Sequence, residues 1–440
     1  MILPAGSANE PASKGTTMET LSLFDTPPAA APVDGLRLLH TSDWHLGQHF
    51  MGKTRQAEHQ AFCDWLIGQV REQAVDVVLI AGDIFDTGAP PSYAREQYNR
   101  FVVDLRDSGA QLVVLGGNHD SVATLGESRS LLGRLGARVV PAVAENPEDQ
   151  LLVLDKRDGS PGALLCAIPF LRPRDLLRSE AGQSAEDKQR SLQEAIAGHY
   201  RELFALAERR RAELGGALPI IASGHLTTVG ASASDSVREI YVGALEAFPT
   251  NAFPAAAYIA LGHIHRPQKV GGLEHIRYCG SPIPLAFDEA RQEKQVLLVD
   301  LDSDGLRAVT PLPVPRFQPL ASLHGSLAEL RGAIAEAARE GSATLPVWLD
   351  VCVASDDYLA DLSAPVGALC EGLPVEVLRL RRERGQGVAR LLGDSRETLD
   401  ELTPHDVFAR RLASETLDDA LQQRLHDLHR QVLGELQDGE

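Results

Sequence analysis

From Leu36 onward the chain alternates between two kinds of block. LRLLHTSD (36–43), VDVVLIAGD (75–83) and AQLVVLGGNHD (110–120) are short apolar runs ending in glycine or polar residues, and they read as buried strands. RQAEHQAFCDWLIGQVREQ (55–73) instead spaces its apolar residues as a helix does, with Phe62, Trp65, Leu66 and Val70 on one face. SYAREQYNRFVVDLRDSG (92–109) reads as a second helix, closed by Gly109. Strands alternating with helices at this spacing predict a parallel or mixed sheet in a layered α/β domain.

The middle of the chain holds AIPFLRPRDLLRSE (167–180) and a polar, helix-prone segment from about Gly182 to Leu214. ALPIIASGHLTT (217–228) and AAAYIALGHIHRP (255–267) then repeat the theme of an apolar strand running into a glycine and a histidine. Prolines in LPVPRFQPL (312–320) punctuate a change of pattern. SLAELRGAIAEAARE (helix), LPVWLDVCV (strand), DDYLADLSAPVGALCEG (helix) and LPVEVLRLRRE (strand) follow, and they predict a small separate α/β module. From about Gly385 the chain is polar and helical, with Thr403, Pro404 and Asp406 as N-cap, N1 and N3 of a helix start. Leu417, Leu421, Leu425, Leu428, Val432 and Leu436 form a stripe that covers either its own domain or a partner's helix. The predicted divisions are a tail (1–35), the main α/β domain (36–314), the module (315–384) and the helical segment (385–440).

Composition narrows the setting. A chain of 440 residues, 44% of them hydrophobic, is long enough for two or three domains and a large core. No apolar run approaches the ~18 residues of a membrane span. The first 35 residues are rich in Ala, Pro, Ser and Thr, lack the form of a secretory signal and read as a disordered tail, with Met18 an alternative start. Five cysteines, with no CxxC pair, predict reduced thiols in the cytoplasm, Cys279 among them as a packed thiol. The net charge of −19 argues against a general basic wrap around nucleic acid. Local basic runs (Arg172, Arg174 and Arg178; Arg379, Arg381, Arg382 and Arg384) could follow a phosphate backbone, although solvated faces are the commoner explanation. No GxxxxGK[ST] loop occurs, so ATP binding is not expected.

Chemistry gathers at the strand ends. The strands run into Asp43 and His45, Asp83, Asn118 and His119, His225, and His263 and His265. Ligands of open α/β sheets collect beyond the carboxyl ends of strands, so these residues should converge. Extended-chain alternation further predicts that Asp43 and His45 address one point, and that His263 and His265 address another. Two carboxylates, an amide oxygen and four imidazoles, with no thiolate, form a set suited to Mn²⁺ or Fe, with Zn²⁺ a further option. Seven ligands exceed what one ion uses, whereas two ions about 3.5–4 Å apart would use them all, with Asp83 as bridge because a carboxylate has two oxygens. His119, beside Asn118, falls to the substrate side, contacting a phosphate or protonating its leaving oxygen. Asp86 and Asp120 are expected to orient imidazoles and hold loops. His40, His49, His59 and His275 read as structural or surface residues. Phosphoester hydrolysis is the reaction such a site serves.

The motifs DWH, GDIFD, GNHD, GHL and GHIH resemble those of the calcineurin-like metallophosphoesterase superfamily. LHTSDWHLGQ, AGDIFDTGAPPSYAREQYNRFV, IPFLRPRD and YCGSPIPLAFDE resemble, more closely, its nuclease members from double-strand-break repair complexes, from about Leu36 to near the C-terminus. The resemblance implies a core of mixed sheets flanked by helices, a capping domain after Pro315 and C-terminal helices that dock on a partner. It places Asp43, His45 and His265 on one ion, Asn118, His225 and His263 on the other, Asp83 between them, and catalysis on His119, with Mn²⁺ as the metal. It implies a cytoplasmic, Mn²⁺-dependent DNA exonuclease and endonuclease acting on duplex ends and hairpins in repair, recombination and replication. The partner would be SbcC, an SMC-like coiled-coil ATPase that hydrolyses the ATP, in a complex with two copies of each chain and a nuclease homodimer. Two alternatives stand beside this reading. A phosphoesterase acting on small molecules or phosphoproteins has no use for the extension after Leu312, and a DNA-binding scaffold with a vestigial site has no use for His119.

Overall fold

The computed structural model of the chain describes residues 35–177, 184–234, 237, 247–354, 361–383, 424, 425 and 428. Residues 1–34 of the N-terminal tail, the Thr403 helix start and four of the six stripe residues (Leu417, Leu421, Val432 and Leu436) lie outside the described residues. The first part of the chain forms β1 (Leu36–Thr41), the ribbon β2 (His49–Phe50) and β3 (Lys53–Thr54), α1 (Gln56–Glu72), β4 (Val77–Ala81), α2 (Ser92–Arg106), β5 (Gln111–Leu115), α3 (Val122–Gly126), α4 (Arg129–Arg134) and β6 (Ala137–Val140). A second run contains β7 (Leu151–Asp155), β8 (Pro161–Cys166), α5 (Pro173–Leu176), α6 (Ala185–Glu213), β9 (Ile220–His225), β10 (Tyr258–Gly262), β11 (Gln268–Val270) and β12 (Leu273–Tyr278). Next come β13 (Gln295–Asp302) and β14 (Gly305–Pro313), then β15 (Leu320–Gly325), α7 (Leu327–Ala337), β16 (Val347–Val353), α8 (Ser363–Cys370) and β17 (Val375–Arg382).

Two six-stranded mixed sheets result, ordered β14-β13-β1-β4-β5-β6 and β11-β12-β10-β9-β8-β7. Their central strands are parallel; antiparallel strands close both edges of the second sheet and the β14 edge of the first, whose other edge, β6, is parallel to β5. The continuous apolar runs follow from this stacking. Leu36, Leu38, Val77 and Leu79 face the other sheet, where they meet Ala163, Leu165, Ile221 and Ala260. Their neighbours Leu39, Val78 and Ile80 face outward onto Phe62, Leu66, Val70 and Phe101 of α1 and α2. Strands covered on both sides have no polar face to alternate with. The second sheet is covered by α6 through Leu192, Ile196, Tyr200 and Leu203. The order of layers is therefore helix, sheet, sheet, helix. Trp65 lies at the flank of α1, only partly buried, while Phe62, Leu66 and Val70 are fully enclosed.

The small unit is a three-stranded parallel sheet, β15-β16-β17, with α7 and α8 packed on it. A capping box, with Ser326 accepting from the Glu329 backbone and Glu329 accepting from Ser326, starts α7. The helix expected over 356–372 is described only as α8, and residues 355–360 are outside the described set. Trp348 and Leu320 join the small sheet to Phe50 and Phe287 of the main domain, with Trp348 and Phe50 stacked 5.8 Å apart.

Candidate metal centre

The carboxyl ends of β1, β4, β5, β9 and β10 meet at one end of the paired sheets, and each chain turns sharply there. Asp43, His45, Asp83 and His263 have φ values of 56°, 49°, 52° and 94°. Each left-handed residue other than glycine costs about 1–2 kcal/mol, and such conformers gather where surrounding contacts over-determine them. Those contacts are present: the Asp43 backbone N–H donates to Gly82 O (3.0 Å), Trp44 N–H to Asp83 O (2.9 Å) and His263 N–H to Asp43 Oδ1 (2.9 Å). Trp44 points into the helix layer between Phe62 and Phe101 and donates to Thr41 Oγ1 (2.9 Å), so Asp43 and His45 face the opposite way. The alternation rule for extended chain therefore fails beyond the strand ends. Asp43 and His45 do come together, but through a left-handed turn. His263 and His265 part company: His265 groups with Asp43 and His45, and His263 with Asp83 and His225. Gly82 and Gly117 permit the close approach, since a Cβ there would lie 2.2 Å from His225 Nδ1 and 2.1 Å from Asp83 Oδ1.

Asp83 lies between the two groups, and its two oxygens have different tasks. Oδ2 is 3.6 Å from His45 Nε2 and 3.3 Å from His225 Nε2. Oδ1 accepts the His119 backbone N–H at 2.9 Å. One oxygen, rather than one for each side, faces both groups. Asn118 Oδ1 lies 2.9 Å from His225 Nε2 and 3.1 Å from His263 Nδ1.

The imidazoles are held so that lone pairs converge. His225 Nδ1 is 2.9 Å from the Ala81 carbonyl, which only accepts, so Nδ1 carries the proton and Nε2 of the neutral ring is a lone pair. That lone pair faces Asn118 Oδ1 and Asp83 Oδ2. His45 repeats the arrangement: Nδ1 is 3.2 Å from Asp86 Oδ1, while buried Nε2 has no hydrogen-bond partner. Acceptors brought this close need positive charge among them, and a cation or a proton supplies it. Burial opposes charging His225, but the Asp83 carboxylate, Asp43 and the Ala81 carbonyl together outweigh it and push the imidazole up to about 9. His45 is likewise raised, with Asp86 and Asp83 overcoming its burial. Burial disfavours the Asp83 carboxylate, yet His225 and His45 hold it well below the usual carboxylate range. Nitrogen and oxygen donors of this kind, fixed through their outer nitrogens, fit one or two divalent cations.

His119 is half-buried beside the cluster, its ring 4.6 Å from that of His45. Its Nδ1 donates to the Asp86 carbonyl (2.7 Å), which leaves Nε2 as the nitrogen able to exchange a proton. Asp120 is buried and accepts from the backbone N–H groups of Ile84 (3.2 Å), Phe85 (3.0 Å) and Gly117 (2.8 Å), tying the Asp83 loop to the Asn118 loop. Burial and the nearby Asp83 charge raise its carboxyl to about 6. Of the expected bystanders, His40 and His59 are buried, His49 is exposed and His275 is partly covered. Cys279 is buried, and burial raises its thiol.

Two contributors were not singled out by sequence reasoning. Arg172, read only as part of a basic run, brackets the Asn118 turn by donating to Asp120 O (3.0 Å) and Gly117 O (3.4 Å). Glu289, fully buried, lies 3.5 Å from His265 Nδ1 and pairs with Lys294. Neither sits at a strand end, where the sequence signal was concentrated.

Comparison with known proteins supplies independent findings. The family model described as calcineurin-like phosphoesterase matches residues 36–267. A second, described as the type 5 capsule protein repressor C-terminal domain, matches residues 316–416. The chain is 54% identical over 393 residues to the SbcD component of the SbcCD nuclease of Escherichia coli (strain K12), covering 89% of this chain and 96% of that one. The protein of the same name from Rhodobacter capsulatus is 33% identical over 393 residues, with coverages of 85% and 94%. That from Bacillus subtilis (strain 168) is 32% identical over 273 residues, with coverages of 60% and 66%.

Proposed function

The chain belongs to the calcineurin-like phosphoesterases and, among them, to the SbcD nucleases, and on that premise we propose that it hydrolyses DNA phosphodiesters with two divalent cations, Mn²⁺ being the natural choice. Asp43, His45 and His265 would hold one cation and Asn118, His225 and His263 the other, with Asp83 Oδ2 between them. When bound, the pair supplies Lewis acidity and an activated water. The position of Asp83 Oδ2, within 3.6 Å of His45 Nε2 and 3.3 Å of His225 Nε2, is the observation that carries the reading.

The remaining chemistry belongs to the chain. His119 donates its Nδ1 proton to the Asp86 carbonyl, which fixes the ring and directs Nε2 toward the substrate side. A protonated Nε2 can contact the scissile phosphate and pass its proton to the departing oxygen. Asp86 orients His45, and Asp120 keeps the two loops in register. Arg172 stiffens the turn that carries Asn118 and His119. In the cell, the reading extends to the cytoplasm and to a complex with the ATPase SbcC, two copies of each chain. The leucine stripe after Thr403 would be the docking element and residues 315–384 a cap beside the DNA path. Duplex ends and hairpins are the proposed substrates, in repair, recombination and replication.

A paired test separates the roles. Asp83→Asn keeps the side-chain size and should lower Mn²⁺-dependent cleavage of a hairpin duplex, assayed with SbcC and ATP, by about 10²–10³-fold or more, with bound Mn²⁺ reduced. His119→Ala should keep both ions and lose about 10²–10⁴-fold in turnover. Wild-type cleavage by Asp83→Asn would remove the basis of the proposal.

A further inference from the structure

Glu289 is fully enclosed, yet it belongs to none of the strand-end motifs. Its Oε1 lies 3.5 Å from His265 Nδ1 and accepts from Ser234 Oγ (2.7 Å). Its Oε2 accepts from Lys294 Nζ (2.6 Å) and from the Leu285 backbone N–H (3.0 Å). Lys294 Nζ also donates to the His265 carbonyl (3.0 Å), so one buried ion pair holds both the ring and the backbone of His265. The arrangement matches a carboxylate that fixes the tautomer of a metal-binding imidazole through its outer nitrogen.

The turn that carries Glu289 (Phe287–Glu289) is also the contact with the small α/β unit. The Phe287 ring packs edge-on against Phe50 at 4.9 Å, and the Arg379 guanidinium lies over it at 5.3 Å. Arg379 is held by a two-pronged bond to buried Asp350 (2.8 and 2.7 Å). Next to Glu289, the Ala290 carbonyl accepts from Arg316. The second group is anchored differently. His225 leans on the Ala81 carbonyl at the end of β4, in the main domain.

We propose that Glu289 is a positioning residue for His265, and that its turn makes one of the two cation positions, Asp43–His45–His265, dependent on the seating of the small unit. The proposal rests on His265 being a cation ligand. The experiment is Mn²⁺ titration of the full chain by calorimetry and by electron paramagnetic resonance of free Mn²⁺. Glu289→Gln should still bind two ions, one of them about 10–100-fold more weakly and the other as in wild type. Selective loss is the decisive readout, because a general folding defect would weaken both. Glu289→Gln leaves Lys294 buried without its counter-charge, so Glu289→Gln/Lys294→Met is titrated beside it with the same expected result. Phe287→Ala, which removes the ring under the Arg379 guanidinium together with its packing on Phe50, should weaken the same position and leave the other as in wild type. His265→Ala should abolish it. Wild-type affinities in both Glu289 variants, with one site lost in His265→Ala, would overturn the role of Glu289. An unchanged weaker site in Phe287→Ala would overturn the dependence on the small unit. Two wild-type sites in His265→Ala would overturn the ligand assignment itself.

Discussion

Replacing Gly82 by alanine tests how tightly the centre is packed, and Gly52 supplies an internal control. Both glycines are left-handed, at φ 96° and 82°. A Cβ at Gly52 meets nothing within 4 Å, whereas at Gly82 it would lie 2.2 Å from His225 Nδ1 and 2.8 Å from Cγ. Gly52→Ala therefore isolates the backbone cost, about 1–2 kcal/mol. In Gly82→Ala the imidazole must also retreat by about 1 Å to reach ordinary contact, an overpacking cost of about 1–3 kcal/mol. That retreat breaks the 2.9 Å bond from Nδ1 to the Ala81 carbonyl, and an unmet buried pair costs roughly a further 1–3 kcal/mol. The sum is about 3–8 kcal/mol for Gly82→Ala. Urea denaturation of the metal-free variants measures the difference, and Mn²⁺ titration should show His225's site weakened only in Gly82→Ala. Equal destabilisation of the two variants, with wild-type Mn²⁺ binding in both, would refute the packing argument.

Acid sensitivity has a specific source in His40. Burial, only partly opposed by the Leu261 backbone, pulls this imidazole down to about 3 from the ordinary 6.5. Because the folded value lies below the unfolded one, its contribution is intact above pH 6.5 and is lost progressively as pH falls toward 3. At pH 5 the loss is about 2 kcal/mol, and His40→Gln should remove that part of the drop between pH 7 and 5 in urea titrations; an unaltered drop would contradict it. Truncation after Thr403 should abolish capture of SbcC in a pull-down while leaving the urea midpoint of the main domain in place, and full-strength capture would count against a C-terminal docking element.

The layers of the fold were legible because continuous apolar strands such as VDVVL have no polar face and must be covered twice. The meeting of Asp43, Asp83, Asn118, His225 and His263 could also be read, since each follows a strand and parallel strands end on the same side. Finer geometry could not. Asp43, His45 and His263 sit in left-handed turns, where extended-chain alternation does not apply. The unequal tasks of the Asp83 oxygens depend on the His119 backbone N–H, a tertiary contact with no pattern along the chain. Glu289 escaped notice for a related reason. A carboxylate in a short polar turn looks solvated until Lys294 and His265 are seen to enclose it.

The donor groups come from both sheets: Asp43, His45, Asp83 and Asn118 follow strands of the first, His225, His263 and His265 strands of the second. A chain emerging from the ribosome thus holds only part of this donor set until its later half has been made and has docked, so the centre is assembled by the last stage of folding.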